Sequence, residues 1–213
     1  MTTLLLAAAA YLLGSVSFAV IVSRAFGLPD PRTYGSHNPG ATNVLRTGRR
    51  AAAALTLLGD GVKGWLAVVI AQRLAPLEAA EIAGALGAVA VVIGHMYPVF
   101  FRFEGGKGGS TALGVLLALN LYLAAGAAAT WIIIAVFFRI SSLATLVSAV
   151  FVPFFCFLLY GAHAYTYALS IVSLLLILRH RSNIRNLLAG TEGRIGRQDP
   201  GARIQDSRGS ADR

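Results

Sequence analysis

Long uncharged runs separated by short, charged and glycine-bearing loops set the pattern of this chain. Met1 to Ser23 contains no charged residue, and at ~1.5 Å per helical residue it is long enough to cross ~30 Å of hydrocarbon. A second run covers Ala51 to Ala71, interrupted only by Asp60 and Lys63, and a third covers Ile82 to Phe101, with His95 near its end. Ser110 to Phe138 is uncharged for 29 residues, about 43 Å as a single helix, too long for one upright crossing. Ile140 to Leu178 has room for two crossings hinged at Gly161-Ala162-His163. The pattern predicts an all-α integral membrane protein with seven transmembrane helices, two of them short or re-entrant, and a turn between Asn120 and Gly126.

Charge sets the expected orientation. Arg24, Arg32, Arg46, Arg49 and Arg50 crowd the first loop against Asp30, whereas the next turn sets Arg73 against Glu78 and Glu81. By the positive-inside rule the first loop is cytoplasmic and the N-terminus outside. The basic segment at Arg179, Arg181 and Arg185 belongs on the same side, which requires Ser110–Phe138 to cross twice and leaves the C-terminus cytoplasmic. No basic residue precedes the first apolar run, so an uncleaved first span is expected. A membrane-embedded domain is expected over 1–192, and 193–213, polar and without apolar period, reads as a disordered cytoplasmic tail.

Composition agrees: 56% of the residues are hydrophobic, 13% are charged and the mean hydropathy is +0.70, more apolar surface than one soluble core of this length buries. The net charge of +9 is dispersed between apolar runs with no aromatic interleaving, which argues for anionic substrates and membrane topology and against nucleic acid. Cys156 stands alone within an apolar run, leaving no disulfide framework or thiolate cluster to build and suggesting a packing role. No His, Asp and Glu fall at metal-ligand spacing, and neither a metal nor a cofactor is expected.

The chemistry is concentrated in three loops that should share one face. In the first, Gly35 to Gly48, Ser36, Asn38, Thr42 and Asn43 offer side-chain hydrogen bonds, Gly35 and Gly40 allow close backbone approach, and Arg46 supplies a planar fork for phosphate. In the second, Gly105, Gly106, Gly108 and Gly109 surround Lys107 just before an apolar helix, so backbone N–H groups and a point charge would converge on an anion. It is not a Walker A loop, because Phe101 occupies the first glycine position and Gly108 follows the lysine. The third carries His180, Asn183 and Arg185, and Ser142 follows a connecting loop. Asp60 and Lys63, three apart on one helix face, should point inward as an ion pair or as part of a site wall, and a lone His95 reads first as a packing residue. No histidine has an acid five positions on, so a His-x4-Asp acyltransferase signature is absent.

Gly35 to Gly48, Gly94-His95-Met96-Tyr97-Pro98 through Gly108, and His180-Arg181-Ser182-Asn183-Ile184 through Glu192 resemble, in order, the three signature motifs of the bacterial acyl-phosphate-dependent glycerol-3-phosphate acyltransferases, the PlsY family. The likeness spans Gly14 to Ile195 and takes in Asp60-Gly61-Val62-Lys63-Gly64, with His37 standing where glycine is common. It implies acyl transfer from a fatty acyl phosphate to the 1-hydroxyl of sn-glycerol 3-phosphate at the cytoplasmic side of the inner membrane. The products would be lysophosphatidic acid and phosphate, and a soluble enzyme would supply the donor. By the same likeness Ser36, Arg46, Lys107, Ser142, His180 and Asn183 would be catalytic, and Asn38, Gly40, Asn43, Gly105, Gly106 and Gly108 substrate-binding. Asp60, Lys63, His95 and Glu192 would be supporting. An acyl phosphate already carries a good leaving group, so direct transfer without an acyl-enzyme is expected. A small transporter for an organic phosphate is the alternative class, disfavoured because no internal repeat is visible and the polar residues gather at one face.

Overall fold

A computed structural model describes residues 1–196, and all of its regular secondary structure is helical. Five apolar stretches are long enough to cross a membrane: Thr2–Ala25, Arg50–Leu74, Leu77–Phe101, Leu121–Phe138 and Ser141–Tyr160. Two shorter apolar helices, Gly109–Leu119 and Ala164–Arg179, complete the bundle.

The first apolar run is not one helix. It divides into α1, Thr2–Gly14, and α2, Phe18–Ala25, on either side of Ser15-Val16-Ser17. A break inside hydrocarbon leaves backbone groups that water cannot satisfy, and here protein groups take them up. Ser15 Oγ donates to Tyr11 O at 2.9 Å, and Lys63 Nζ donates to Val16 O at 2.6 Å. The short α3, Ala41–Leu45, lies within the first loop, and α4, Arg50–Leu74, carries Lys63 to that break.

After a 3-10 turn, α5 runs Ala80–Met96 and stops before Pro98, short of the expected Phe101, because proline disfavours a helical residue ahead of it. The 29-residue uncharged run divides at Asn120 into α6, Gly109–Leu119, and α7, Leu121–Phe138. Asn120 Oδ1 caps α7 by accepting from the N–H groups of Tyr122 and Leu123, and its Nδ2 donates to Tyr160 O–H at 2.6 Å. Arg139 turns the chain in the left-handed region into α8, Ser141–Tyr160. Gly161, at φ 67, makes the second turn, as the hinge reading expected, and His163 caps α9, Ala164–Arg179. Helix α10, Arg181–Leu188, follows His180 at once.

Two glycine pairs bring the helices together. A Cβ on Gly14 would strike the Val91 carbonyl and one on Gly94 the Tyr11 carbonyl, so α1 and α5 touch backbone to backbone. Gly64 against Thr111 and Gly114 against Gly61 do the same for α4 and α6. Lipid supplies little hydrophobic drive between helices, so close approach through small residues carries much of the packing.

Beyond α10 the chain returns. Ile195 N–H donates to Arg139 O at 2.7 Å, so residues 193–196, expected to begin a disordered tail, form part of the fold against the α7–α8 turn. The expectation for residues 197–213 lies outside the described residues.

Candidate active site

One cavity of about 810 Å³ opens where the first loop, the lysine loop, the start of α8, the α9–α10 junction and residues 192–196 converge. Its mouth is polar. Ser36, Asn38, Gly40, Asn43, Arg46, Lys107, Gly108, Ser142, His180, Asn183 and Glu192 all line it, from segments far apart in the chain. Its deeper wall is apolar, built from Ala53 and Leu57 of α4, Leu113 and Leu116 of α6, Ala127 and Trp131 of α7, Ala149 and Val152 of α8, and Leu169, Val172 and Leu176 of α9.

A hydrogen-bonded chain runs across the mouth. Lys107 Nζ donates to Asn183 Oδ1 at 2.6 Å, Asn183 Nδ2 donates to Glu192 Oε1 at 2.6 Å, and Ser142 Oγ donates to the same oxygen at 2.6 Å. The ammonium and the carboxylate therefore fix the orientation of the Asn183 amide, one at each end. Glu192, expected only to support, is a wall of the cavity and ties α8 to α10. Burial holds the Lys107 ammonium below its usual range; Glu192 opposes this, while Arg179 and Arg46 add to it. An anion at the mouth would relieve that crowding of positive charge. Among the described residues no hydrogen bond or ion pair engages the Arg46 side chain, which leaves its guanidinium fork for a ligand.

His180 caps α9 outside the membrane-spanning segment. Its Nδ1 lies 2.7 Å from Leu176 O, and since a carbonyl can only accept, that nitrogen carries the proton and Nε2 keeps its lone pair. Burial pushes the ring's protonation down to about 4, which keeps it neutral at neutral pH.

Three expected ligand-binding groups are used by the protein itself. Asn43, 1% exposed, accepts from Ser36 N–H at 3.0 Å and donates to Pro31 O and Tyr34 O, so its amide shapes the first loop. Gly105 and Gly106 do not line the cavity; Gly106 N–H donates to His95 O at 3.1 Å, and both glycine carbonyls accept from Arg179. These pairings fix the loop that positions Lys107 and α6, while Lys107, Gly108 and Gly109 line the cavity. Lys63 also lies behind the wall, 2.8 Å from Asp60 Oδ1, whereas Asp60 and His95 line the cavity.

Arg179 was legible in the sequence only as topological charge. It clamps the glycine loop, with Nη2 2.8 Å from Gly105 O and its guanidinium over the Tyr97 ring. Arg32, paired with Asp30 within the first loop, reaches the second loop at Glu104, 3.5 Å away. Sequence spacing gives no signal for the Arg179–Gly105 or Arg32–Glu104 contact, because both are set by how the helices pack. His37 adopts φ 53, the left-handed conformation that favours glycine, with its Nδ1 2.9 Å from Arg32 O.

A helical membrane bundle with a cationic, hydrogen-bonding mouth above an apolar pocket defines a class: enzymes that bring a water-soluble phosphorylated compound to a long apolar chain at a membrane surface. The relatives narrow this. The family described as glycerol-3-phosphate acyltransferase matches residues 4–190. A glycerol-3-phosphate acyltransferase of Ralstonia nicotianae is 63% identical over 195 residues, covering 91% of this chain and 94% of its own. That of Ralstonia pickettii is 61% identical over 201 residues, covering 94% and 97%. Among solved structures, the crystal structure of PlsY (YgiH), an integral membrane glycerol 3-phosphate acyltransferase, in its glycerol 3-phosphate form superposes with a TM-score of 0.85 at 36% identity, covering 92% of this chain and 96% of that one. Its lysophosphatidic acid form gives 0.83 at 34% identity, covering 92% and 97%. The chain belongs to the PlsY family of glycerol-3-phosphate acyltransferases, and it is a multi-pass integral membrane acyltransferase.

Proposed function

We propose that this enzyme transfers a fatty acyl group from an acyl phosphate to the 1-hydroxyl of sn-glycerol 3-phosphate, releasing lysophosphatidic acid and phosphate. The observation that carries the reading is the continuity of one cavity from the Lys107–Asn183–Glu192–Ser142 chain to the apolar wall of α6 to α9. A donor with an anionic head and a long apolar tail fits both ends at once.

Two phosphates, donor and acceptor, meet at the mouth. Arg46 and Lys107 would neutralise them, and Ser36, Asn38, Ser142, His180 and Asn183 would supply neutral hydrogen bonds. Gly40 and Gly108 line the cavity beside these groups. Phosphate is a good leaving group from a mixed anhydride, so charge neutralisation and alignment are the main catalytic needs. The geometry favours direct transfer. Ser142 Oγ donates to a carboxylate, not to an imidazole, and Cys156 is buried against Thr166. A serine ester would also be a poorer acyl donor than the anhydride it replaced.

In this reading 1–192 is the catalytic domain, joined by 193–196 at the cavity rim. The five long and two short apolar helices cross the bacterial inner membrane seven times, with the N-terminus outside and the C-terminus and the site at the cytoplasmic face. The bilayer admits the acyl chain, the cytoplasm supplies glycerol 3-phosphate, and a soluble enzyme delivers the acyl phosphate. Purified protein in detergent, given palmitoyl phosphate, should release phosphate and form lysophosphatidic acid only when glycerol 3-phosphate is added. Donor consumption that ignores the acceptor would overturn the reading, as would transport of a phosphate ester in vesicles without acylation.

A further inference from the structure

A helical serine or threonine in apolar surroundings commonly turns its hydroxyl back to the carbonyl four residues earlier. Thr56 donates to Ala52 O, Thr130 to Gly126 O, Thr145 to Ser141 O and, on α9 itself, Ser170 to Thr166 O. Ser173 departs from this. It is 5% exposed and lines the cavity between Val172 and Leu176, yet among the described residues no hydrogen bond engages its Oγ. Nor is that oxygen sealed off, as the partnerless Ser23 Oγ and Thr111 Oγ1 are. The neighbouring hydroxyls of the wall are already used: Thr145 Oγ1 also accepts from Trp131 Nε1 at 3.1 Å, and Ser148 Oγ donates to Ala127 O at 3.3 Å. A buried hydroxyl that opens into a cavity and has no partner in the protein is matched to one in the ligand.

The depth of Ser173 identifies that partner. The donor phosphate is held at the level of Lys107, and the next residue abuts α9 at Leu176, where a Cβ on Gly108 would stand 3.5 Å from Leu176 Cδ2. Ser173 lies three residues earlier on α9, about 4.5 Å deeper at ~1.5 Å per residue. In an acyl phosphate the carbonyl carbon is bonded directly to a phosphate oxygen. With the phosphate at Lys107 and the tail along the apolar wall, the carbonyl falls within the first turn below the loop, beside Ser173. Helix α6 begins at the same level, and Gly109 and Ser110 of its first turn line the cavity, so its positive end also faces the place where negative charge develops.

We propose that Ser173 is a catalytic residue of the transfer, its O–H donating to the acyl carbonyl oxygen and stabilising the charge that grows there. This rests on the acyl-transfer reading above. As the hydroxyl oxygen of glycerol 3-phosphate bonds to the acyl carbon, the carbonyl π pair moves onto the carbonyl oxygen, against Ser173. That pair returns as the bond between the acyl carbon and the phosphate oxygen breaks; the electrons of the broken bond leave with the phosphate, and the proton lost by the hydroxyl ends on the released phosphate. Ser173 neither gains nor loses a proton. It is a donor already in place, in an apolar wall that strengthens its hydrogen bond.

The test compares wild type, Ser173→Ala and Ser173→Cys in detergent, with palmitoyl phosphate and glycerol 3-phosphate varied separately and hexadecyl phosphate, which has no carbonyl, as inhibitor. Cysteine keeps the volume but donates weakly, so it carries the test if the alanine variant does not fold. Ser173→Ala should lose kcat by roughly 10²- to 10³-fold and Ser173→Cys by at least about tenfold, with KM for each substrate within about threefold of wild type. Inhibition by hexadecyl phosphate should be unchanged, and both variants should melt with wild type, because no hydrogen bond within the protein is lost. A kcat within about threefold of wild type in either folded variant would overturn the proposal. So would a loss confined to KM, matched by weaker hexadecyl phosphate inhibition or accompanied by a lower melting temperature, any of which would make Ser173 a packing residue of the wall. Wild type that cannot acylate glycerol 3-phosphate from the acyl phosphate would overturn the function reading itself, a result distinct from an active wild type beside an equally active Ser173→Ala.

Discussion

Lys107 carries two constraints that pull in opposite directions. Burial and the neighbouring Arg179 and Arg46 work against its charge, while Asn183 and Glu192 hold the ammonium at the cavity mouth. A cation kept in such a place is suited to a phosphate that arrives and leaves. Lys107→Ala should therefore lose a charge-assisted contact worth about 1.5–3 kcal/mol, roughly a ten- to hundredfold fall in kcat/KM, in a protein that still folds. Steady-state kinetics on monodisperse variant protein measure it, and unchanged kinetics would remove Lys107 from the site. Residue types in the three loops were enough to nominate Lys107, Ser142, His180 and Asn183, which the fold does bring to one cavity. They were not enough for Asn43 or Gly106. Hydrogen-bonding capacity is visible in a residue's name, but whether another part of the chain has already used it is not.

At the scale of elements, the α4–α6 contact decides where the lysine loop sits, because α6 begins directly after it. Gly114 and Gly61 face each other across that contact, and a Cβ on Gly114 would meet the Gly61 carbonyl, which is backbone and cannot swing aside. Gly114→Ala should destabilise the protein by about 1–3 kcal/mol through overpacking, seen as a lower melting temperature in detergent. Gly61→Ala is the contrast: its Cβ would find only Ser110 O at 3.7 Å, an ordinary contact, so that variant should melt near wild type. Equal melting of both would show that the close approach does not limit packing. Hydropathy and parity anticipated the turn at Asn120 and the hinge at Gly161 but not the break at Ser15-Val16-Ser17. An apolar run carries no mark of a break whose freed carbonyl is taken by Lys63, 47 positions away.

For the whole molecule, the arginine-rich loops and the cavity mouth lie at the same end of the bundle, so site and topology stand or fall together. In a Cys156→Ala background, Glu78→Cys should react with a membrane-impermeant maleimide added to intact cells, and Arg49→Cys only after permeabilisation. Reaction of Arg49→Cys from outside would invert the topology and put the mouth in the wrong compartment. The exposed aliphatic and aromatic surface of α7 and α8, from Ile132 and Phe137 to Phe154 and Leu158, is what a lipid-facing wall requires.

Membrane residence, helical class and a set of residue types suited to phosphate follow from sequence alone, because hydrocarbon solvates no free backbone polar group and a run of about 20 apolar residues has few other folds open to it. Glycine positions and arginine counts are local properties and survive without a structure. The Lys107–Asn183–Glu192–Ser142 chain, the Arg179 clamp, the return of Ile195 to Arg139 and the facing of His95 by Asp60 were decided only by tertiary packing. Each depends on the distance and direction between helices far apart in the chain, which glycine contacts and buried polar pairing set jointly.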